Sequence, residues 1–420
     1  MFQVKLPSAG KSRKGFVACL LVLVLTGFFA GAPAATESKV WIVDPDPAVG
    51  DYNTIWEAVL FAGRGDTIHV NPGTYKESVE VVIPLTVEGS AEGDSILETK
   101  QDYGFKTTPA AAGATVRGFT VHCSSPRHRG ILLDQAREVT VANNAISGCD
   151  AGVLLDRATE NQILENILSD STFGVYLDRS SQNKLLRNTG FGNLSAINLG
   201  QSIHNEIAQN TLSENAFGIQ FWDGSDENTV EANILEKNGI GISLGQADRN
   251  ILRSNEARKN GTGISLGRSM NNTLSYNLVI GNHFLGINLW KSSDNELIAN
   301  TVQGNWEKGI SLGNSSRNII KSNDIRQNRG GGVAIGADTD KSKDNTIIEN
   351  NISDNWWFGL ANWTDSETTI DARENWWGDP SGPYQEEHNR SGKGNKIMGW
   401  KVLFEPWLGE PVEIPQPEGS

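Results

Sequence analysis

Three carboxylates and a row of aromatic rings occupy one recurring place along this chain. Asp134, Asp156 and Asp178 follow one another at 22-residue intervals, and Arg157 and Arg179 directly follow two of them. If these places stack, the carboxylates lie about 5 Å apart and raise one another's proton affinity unless something compensates. The two arginines are the obvious compensation. Two chemistries are open to such a set: a metal site, Ca²⁺ being an ion that takes several oxygens, or an acid/base pair for sugar chemistry, which usually needs two carboxyls. The third reading, and the favoured one, is an Asp/Arg ladder that holds register, since surface ion pairs are common and contribute little. In later units the same place carries Trp222 and Trp290, three repeats apart. Tyr176 lies two residues before Asp178, and Trp363 continues the line if the last unit keeps register. An outward row of Trp suggests an interaction site, and flat rings in a row can stack on sugar rings. Packing against a loop or a partner chain is the alternative, about evenly weighted.

These residues share a place only because the chain repeats. Units open with Gly, an aliphatic, any residue and another aliphatic, as in Gly241-Ile242-Ser243-Leu244, and carry three Asn at five-residue spacing, such as Asn250, Asn255 and Asn260. Openings fall at Gly130, Gly152, Gly174, Ala196, Gly218, Gly241, Gly263, Gly286, Gly309, Gly332 and Gly359. That is a solenoid period. Alternation over three or four residues, broken by a turn residue every five, describes very short strands and leaves no room for a helix. Three strands and three bends per unit predict an all-β, single-stranded parallel β-helix, with about ten regular coils and a rod of roughly 50 Å. Inward aliphatics such as Ile242, Leu244 and Leu252 should stack into an apolar column. The Asn columns are read as structural: Asn tolerates a left-handed bend and its amide can pair with copies above and below. The leading Gly is read as serving a backbone angle that a side chain opposes. A leucine-rich repeat overlaps in period but has one strand per unit and no triple Asn.

The formal charge is −14 over 420 residues. Residues 1–34 read as a secretory signal: Lys11, Arg13 and Lys14 precede an apolar run from Phe16 to Phe29, and Ala32-Pro33-Ala34 offers a cleavage site. An uncleaved anchor is the lesser alternative. Removing the signal leaves −18, since it holds four basic residues and no acidic one. Such an acidic surface argues against nucleic acid and anionic membranes, and no membrane span is expected once the signal is gone. Cys19 leaves with the signal. Aligning Gly118-Phe119-Thr120-Val121 with Asn144-Ala145-Ile146-Ser147 puts Cys123 and Cys149 at one place in adjacent coils. That is within disulfide reach and suits an exported compartment; a pair of buried thiols is the equal alternative.

Residues 35–129 are expected to form an N-terminal cap and first coils. Thr54 and Glu57 have capping-box spacing ahead of a short amphipathic helix carrying Ile55, Ala58, Val59 and Ala62 on one face, which would plug the open end of the column. Regular coils should run over 130–375, with an insertion around Asp338 to Lys343. Residues 376–410 supply aromatics to cover the last coil, and 411–420, rich in Pro and Glu, read as a disordered tail.

The Gly-Ile-x-Leu and Asn-x-Ile-x-x-Asn coils resemble the NosD-like and carbohydrate-binding/sugar-hydrolase class of right-handed, pectin-lyase-like β-helix repeat proteins. The opening Gly65-Asp66-Thr67-Ile68-His69-Val70 with Gly73-Thr74-Tyr75, and the closing Asn375-Trp376-Trp377-Gly378, look like the ends of exported members. The resemblance covers nearly all of the mature chain and is specific for fold more than activity, because this architecture hosts lyases, hydrolases, epimerases, binders and scaffolds. Neither an Asp-Pro-His-Asp run nor an adjacent Asp pair of the polygalacturonase sort is present. Some members are tied to copper delivery for nitrous oxide reductase. Here His69, His122, His128, His204, His283 and His388 are scattered and Met is scarce, whereas copper prefers clustered soft or imidazole ligands. The reading is a secreted, periplasmic or cell-surface monomer that binds polysaccharide or cell-surface glycan, or serves as a scaffold, with no cofactor unless Ca²⁺. A polysaccharide lyase, hydrolase or epimerase using the three Asp is the competing class, and a periplasmic copper-delivery accessory the third.

Overall fold

The computed structural model describes residues 38–90, 94–336, 341–364 and 367–416. The expected signal at 1–34, part of the insertion near Asp338 and the last four residues lie outside the described residues.

Short strands recur because the inward aliphatic of each segment is flanked by a bend on either side. The chain winds as a right-handed coil of three strands per turn, and every third strand joins the same sheet. The result is three parallel sheets of 16, 14 and 13 strands. We call the 14-stranded sheet, running from Val79–Val81 to Ile397–Gly399, the leading sheet. Register is one-for-one between coils: Ile242 pairs Ile264, which pairs Ile287, then Ile310 and Val333. Leu252, Leu274, Leu297, Ile320 and Ile347 form a second such file. All of these are fully buried, at about 1.5–3 kcal/mol for each side chain. The stack exceeds the ten coils of the regular repeat, because irregular segments such as Tyr103–Thr107 and Thr120–His122 also pair in register. Fourteen turns span about 65 Å at the strand spacing of parallel sheets.

Three ladders of buried Asn run along the bends. In the middle of one, the Asn255 side-chain oxygen accepts from the Asn233 backbone N–H at 3.1 Å and from the Asn233 amide at 3.0 Å, while the Asn255 amide donates to Val230 O and to Asn277 Oδ1. The Asn columns do pair through their amides, but the left-handed residue is not the Asn. Arg249, Ser254 and Lys259, each just before a ladder Asn, take φ of 54–55°. The bend requires that conformation one residue earlier, and Asn supplies the bonds that make it tolerable. A fourth file escaped sequence reading: Ser269, Ser292 and Ser315 each donate a backbone N–H to the hydroxyl of the serine one coil on, ending at Ser342.

The leading Gly residues also have another cause than the one expected. Gly263 has no left-handed φ; a Cβ there would lie 2.5 Å from Val279 Cγ1 and 2.6 Å from Gly286 O. Close approach of adjacent coils, rather than backbone angle, excludes a side chain.

The N-terminal end is closed by the helix Ile55–Phe61, with Thr54 as its cap and Ile55, Ala58 and Val59 buried. The Glu77 carboxylate also receives the Ile55 and Trp56 N–H groups at 2.9 Å. Asp66 ties this cap together, accepting from Lys39 N at 2.9 Å and from Trp41 Nε1 and Gly63 N at 2.8 Å. Burial alone would raise the Asp66 carboxyl, but those bonds, with the Lys39 charge, hold it below the ordinary value. Asp66→Ala strands three donors and is expected to cost about 2–4 kcal/mol, read as hydrogen exchange accelerated in Val40–Val43 and the helix. A lowered folded pKa means the contribution is complete above the unfolded value near 3.9 and is lost only as pH falls through the still lower folded one.

At the other end Trp377, Ile397 and Phe404 are buried with Trp407 against them. Asn362 takes the place of inward Ile335, where its amide donates to Thr368 O and Trp400 O. In the tail, Val412 exchanges two hydrogen bonds with Asn351. The structure joins Cys123 and Cys149 by a disulfide, with Cα atoms 5.1 Å apart. The alignment expected for them is off by one: Val121 pairs Ile146 and His122 pairs Ser147, so Cys123 stands opposite Gly148. The left-handed Gly148 sits at that extra step.

Candidate functional site

In the motif Gly-Ile-x-Leu-x, the third and fifth residues point outward from the leading sheet, because strand side chains alternate. The fifth-residue file is the one that carries the candidate chemistry. Asp134, Asp156, Asp178 and Gly200 are in register, and Gly245, Gly267, Trp290 and Gly313 continue it. Trp222 and Trp363 each directly follow a paired strand residue, opposite Gly245 and Gly336 respectively.

At the N-terminal part of this file each carboxylate meets a cation. Arg157 contacts Asp156 at 2.8 Å and reaches Asp134 at 4.0 Å; Arg179 contacts Asp178 at 2.6 Å and reaches Asp156 at 3.9 Å. Lys106 closes the series, 3.6 Å from Asp134 and 3.1 Å from Glu80. The arrangement is an alternating ion-pair ladder. An acid/base pair or a Ca²⁺ ion at this place would first have to displace these cations.

Further along, the file itself carries no charge, though Asp223, Arg268 and Lys291 stand one residue beyond it. Trp222 and Trp290 are 55% and 49% exposed, with only the glycines at 245 and 267 between them in the file. Beside that file runs a second outward one, Asn198, Gln220, Ser243, Ser265, Asn288 and Ser311, all in register and all uncharged. Asn198 donates to Gln220 Oε1 at 3.0 Å and Asn288 to Ser265 Oγ at 3.4 Å. Lys291 lies over the Trp290 ring, 5.6 Å from its centroid. Tyr176 and Trp363 are less available. Tyr176 packs on Phe173 with centroids 4.9 Å apart and overlies Gly200, and burial raises its hydroxyl pKa. Trp363 stands edge-on to Phe358 at 5.1 Å, with Lys308 over its ring at 5.9 Å.

Sequence reading missed a second aromatic file at the bend that leads into this sheet. His283, Trp306, Arg329 and Trp356 each directly follow the third Asn of a unit. The position after that Asn was the available signal.

The imidazoles do not converge. His69 lies 3.3 Å from Glu88, His122 3.0 Å from Ser147 Oγ, His128 2.8 Å from Thr99 Oγ1, His204 3.3 Å from Glu227 and His283 3.1 Å from Asn260 O. Among the described residues no group of three or more His, Cys, Asp or Glu is placed to hold a metal ion, and the two cysteines are bonded to each other.

Fold and face together define a parallel β-helix with a polar and aromatic track that is open to solvent around Trp222 and Trp290, while Asn198 and Gln220 of its neutral column are buried. A family described as "Periplasmic copper-binding protein (NosD)" matches residues 62–240 and 231–382, well over half of the chain, and the chain belongs to it. The copper of that description does not fit the dispersed donors found here. Among solved structures, the Dettilon tailspike protein (gp208) is 19% identical with a TM-score of 0.53, over 64% of this chain and 62% of its own. This chain therefore spans less than two thirds of that tailspike, and the likeness is one of fold. The Azotobacter vinelandii mannuronan C-5 epimerase AlgE4 A-module is 14% identical with a TM-score of 0.44, over 86% of this chain and 94% of its own. The catalytic domain of a GH87 α-1,3-glucanase is 13% identical with a TM-score of 0.47, over 70% of this chain and 66% of its own. No curated protein matches the chain. No helix among the described residues is long and apolar enough to cross a membrane.

Proposed function

We propose that this chain is an exported glycan-binding protein whose leading face holds an uncharged polysaccharide lengthwise. One observation carries the reading: the file runs Trp222, glycine, glycine, Trp290 beside a neutral column of Asn, Gln and Ser. Three coils separate the rings, about 14 Å at the strand spacing, so an extended glycan along the axis meets a ring at each end of a flat glycine floor. Ring faces supply apolar contact, and neutral amides and hydroxyls can exchange hydrogen bonds with sugar hydroxyls without the desolvation cost of a buried charge. The acidic overall charge and the apolar leader of the sequence fit an exported protein of this kind.

The test is binding of neutral oligosaccharides to the full chain and to a Trp222→Ala, Trp290→Ala double variant. Truncating two anchoring indoles should weaken binding about a hundredfold. Unchanged affinity in the double variant would remove the aromatic track. Release of new reducing ends or unsaturated products from any of the glycans would replace the binder by an enzyme.

A further inference from the structure

The bend that enters the leading sheet carries an aromatic–cation stack. His283 and Trp306 have ring centroids 5.7 Å apart, and the Arg329 guanidinium lies 4.8 Å from the Trp306 ring and 5.4 Å from the Trp356 ring. Four successive coils thus contribute imidazole, indole, guanidinium and indole in a line. The stack faces solvent: Trp306 is 54% and Trp356 72% exposed, with Trp357 at 74% and Phe284 at 57% alongside. So many exposed large rings mark an interaction surface rather than incidental exposure.

The charge on Arg329 selects what would bind there. Across this acidic chain, most arginines of the surface files pair with a carboxylate one coil away or next to them, as Arg249, Arg253, Arg258 and Arg317 do, whereas Arg268 meets only the Gln246 amide oxygen. Among the described residues Arg329 has no carboxylate within ion-pair distance. Its guanidinium instead spans two indole faces, which hold it in place while leaving its charge uncompensated. The two indoles are two coils apart, about 10 Å at the strand spacing, close to the length of a disaccharide. A fixed cation midway between two ring faces matches a sugar chain with a carboxylate at regular intervals.

We propose that Trp306, Arg329 and Trp356 form a second glycan site, for anionic polysaccharide of the uronate class, distinct from the neutral track of the leading face. The indole surface that Arg329 leaves uncovered contacts sugar rings about one disaccharide apart, and the open edge of the Arg329 guanidinium pairs with the carboxylate between them. This site does not depend on the track at Trp222 and Trp290.

The experiment titrates the full chain with oligogalacturonate and oligomannuronate, and separately with neutral oligosaccharides, at low and moderate salt. The expected result is uronate binding that weakens with salt, drops at least tenfold in Arg329→Gln and in Trp306→Ala, and is unchanged in the Trp222→Ala, Trp290→Ala variant. Neutral binding should be unaffected by Arg329→Gln, which also reports that the variant is folded. Equal uronate affinity in wild type and Arg329→Gln would overturn the proposal. So would the absence of uronate binding, or binding of phosphatidylcholine vesicles, instead of uronates, that depends on Trp306 and Trp356. Loss of neutral binding alone in the track variant would leave this site standing, and the reverse would leave the track standing.

Discussion

Asn255→Ala is expected to lower stability by about 3–6 kcal/mol, as much as the whole stability of many single domains. The side chain takes part in four buried hydrogen bonds that link three coils. Alanine removes the only acceptor shown for the Asn233 N–H and takes a donor from Val230 O, and each buried polar group left without a partner costs about 1–3 kcal/mol. Denaturant unfolding read by far-UV circular dichroism gives the total. Hydrogen exchange shows where it is lost, since a stacked array responds through nearest neighbours and need not melt as one unit. Asn255→Asp should be worse at neutral pH. A carboxylate still accepts from Asn233 but confronts Val230 O and Asn277 Oδ1 with negative charge, so acidification should recover part of its stability. At the C-terminal rung, Asn345→Ala should cost slightly less: its side chain accepts from the Asn318 N–H and amide and donates to Ser315 O at 2.8 Å, but among the described residues no further Asn receives its amide. A loss at either position no larger than that of an exposed Asn→Ala change would show that the ladder is not the source.

Gly263→Val should be the second large loss, with a soluble yield far below that of wild type. The added Cβ alone falls 2.5 Å from Val279 Cγ1 and 2.6 Å from the Gly286 carbonyl, and the carbonyl belongs to a sheet that cannot move without losing its own bonds. Overpacking a tight interior usually costs about 1–3 kcal/mol, and a β-branched side chain against backbone should exceed that. Gly263→Ala is the measurable version, expected at about 2–4 kcal/mol. Adding Val279→Ala removes the nearest obstructing atom and should return part of it, which a purely conformational role for the glycine would not allow. The chain itself contains such a compensation. Ala196 replaces the leading glycine in one coil, and there the same-coil strand carries Gly190, where a Cβ would lie 2.9 Å from that of Ala196. One small residue makes room for the other.

These two variants also separate what spacing reveals from what only packing reveals. The 22- and 23-residue period, the aliphatic alternation and the three Asn columns are properties of order along the chain. They therefore specify three short strands per turn, in-register stacking, and the places of Asp134, Asp156, Asp178, Trp222 and Trp290 on one file. The capping helix was legible for the same reason, since Thr54 and Glu57 interact across three residues. The identity of the left-handed residue was not. Each ladder Asn sits beside the strained position and satisfies the backbone around it, so composition at the bend points to the wrong member of the pair.

Contacts between coils decided the rest. Whether three aspartates form a site or a ladder depends on where Arg157, Arg179 and Lys106 place their charges, and side-chain direction is not written in a repeat. Trp363 continues the file of Trp222 and Trp290 and Tyr176 stands in the neighbouring one, yet neighbours fold over both and leave the other two open. Arg329 is an ordinary surface arginine in the sequence; only stacking of three coils sets it between two indoles. Periodicity fixes which residues are neighbours along the shaft, and the tertiary structure alone fixes which of those neighbours are already satisfied by one another and which still face water with a bond to make.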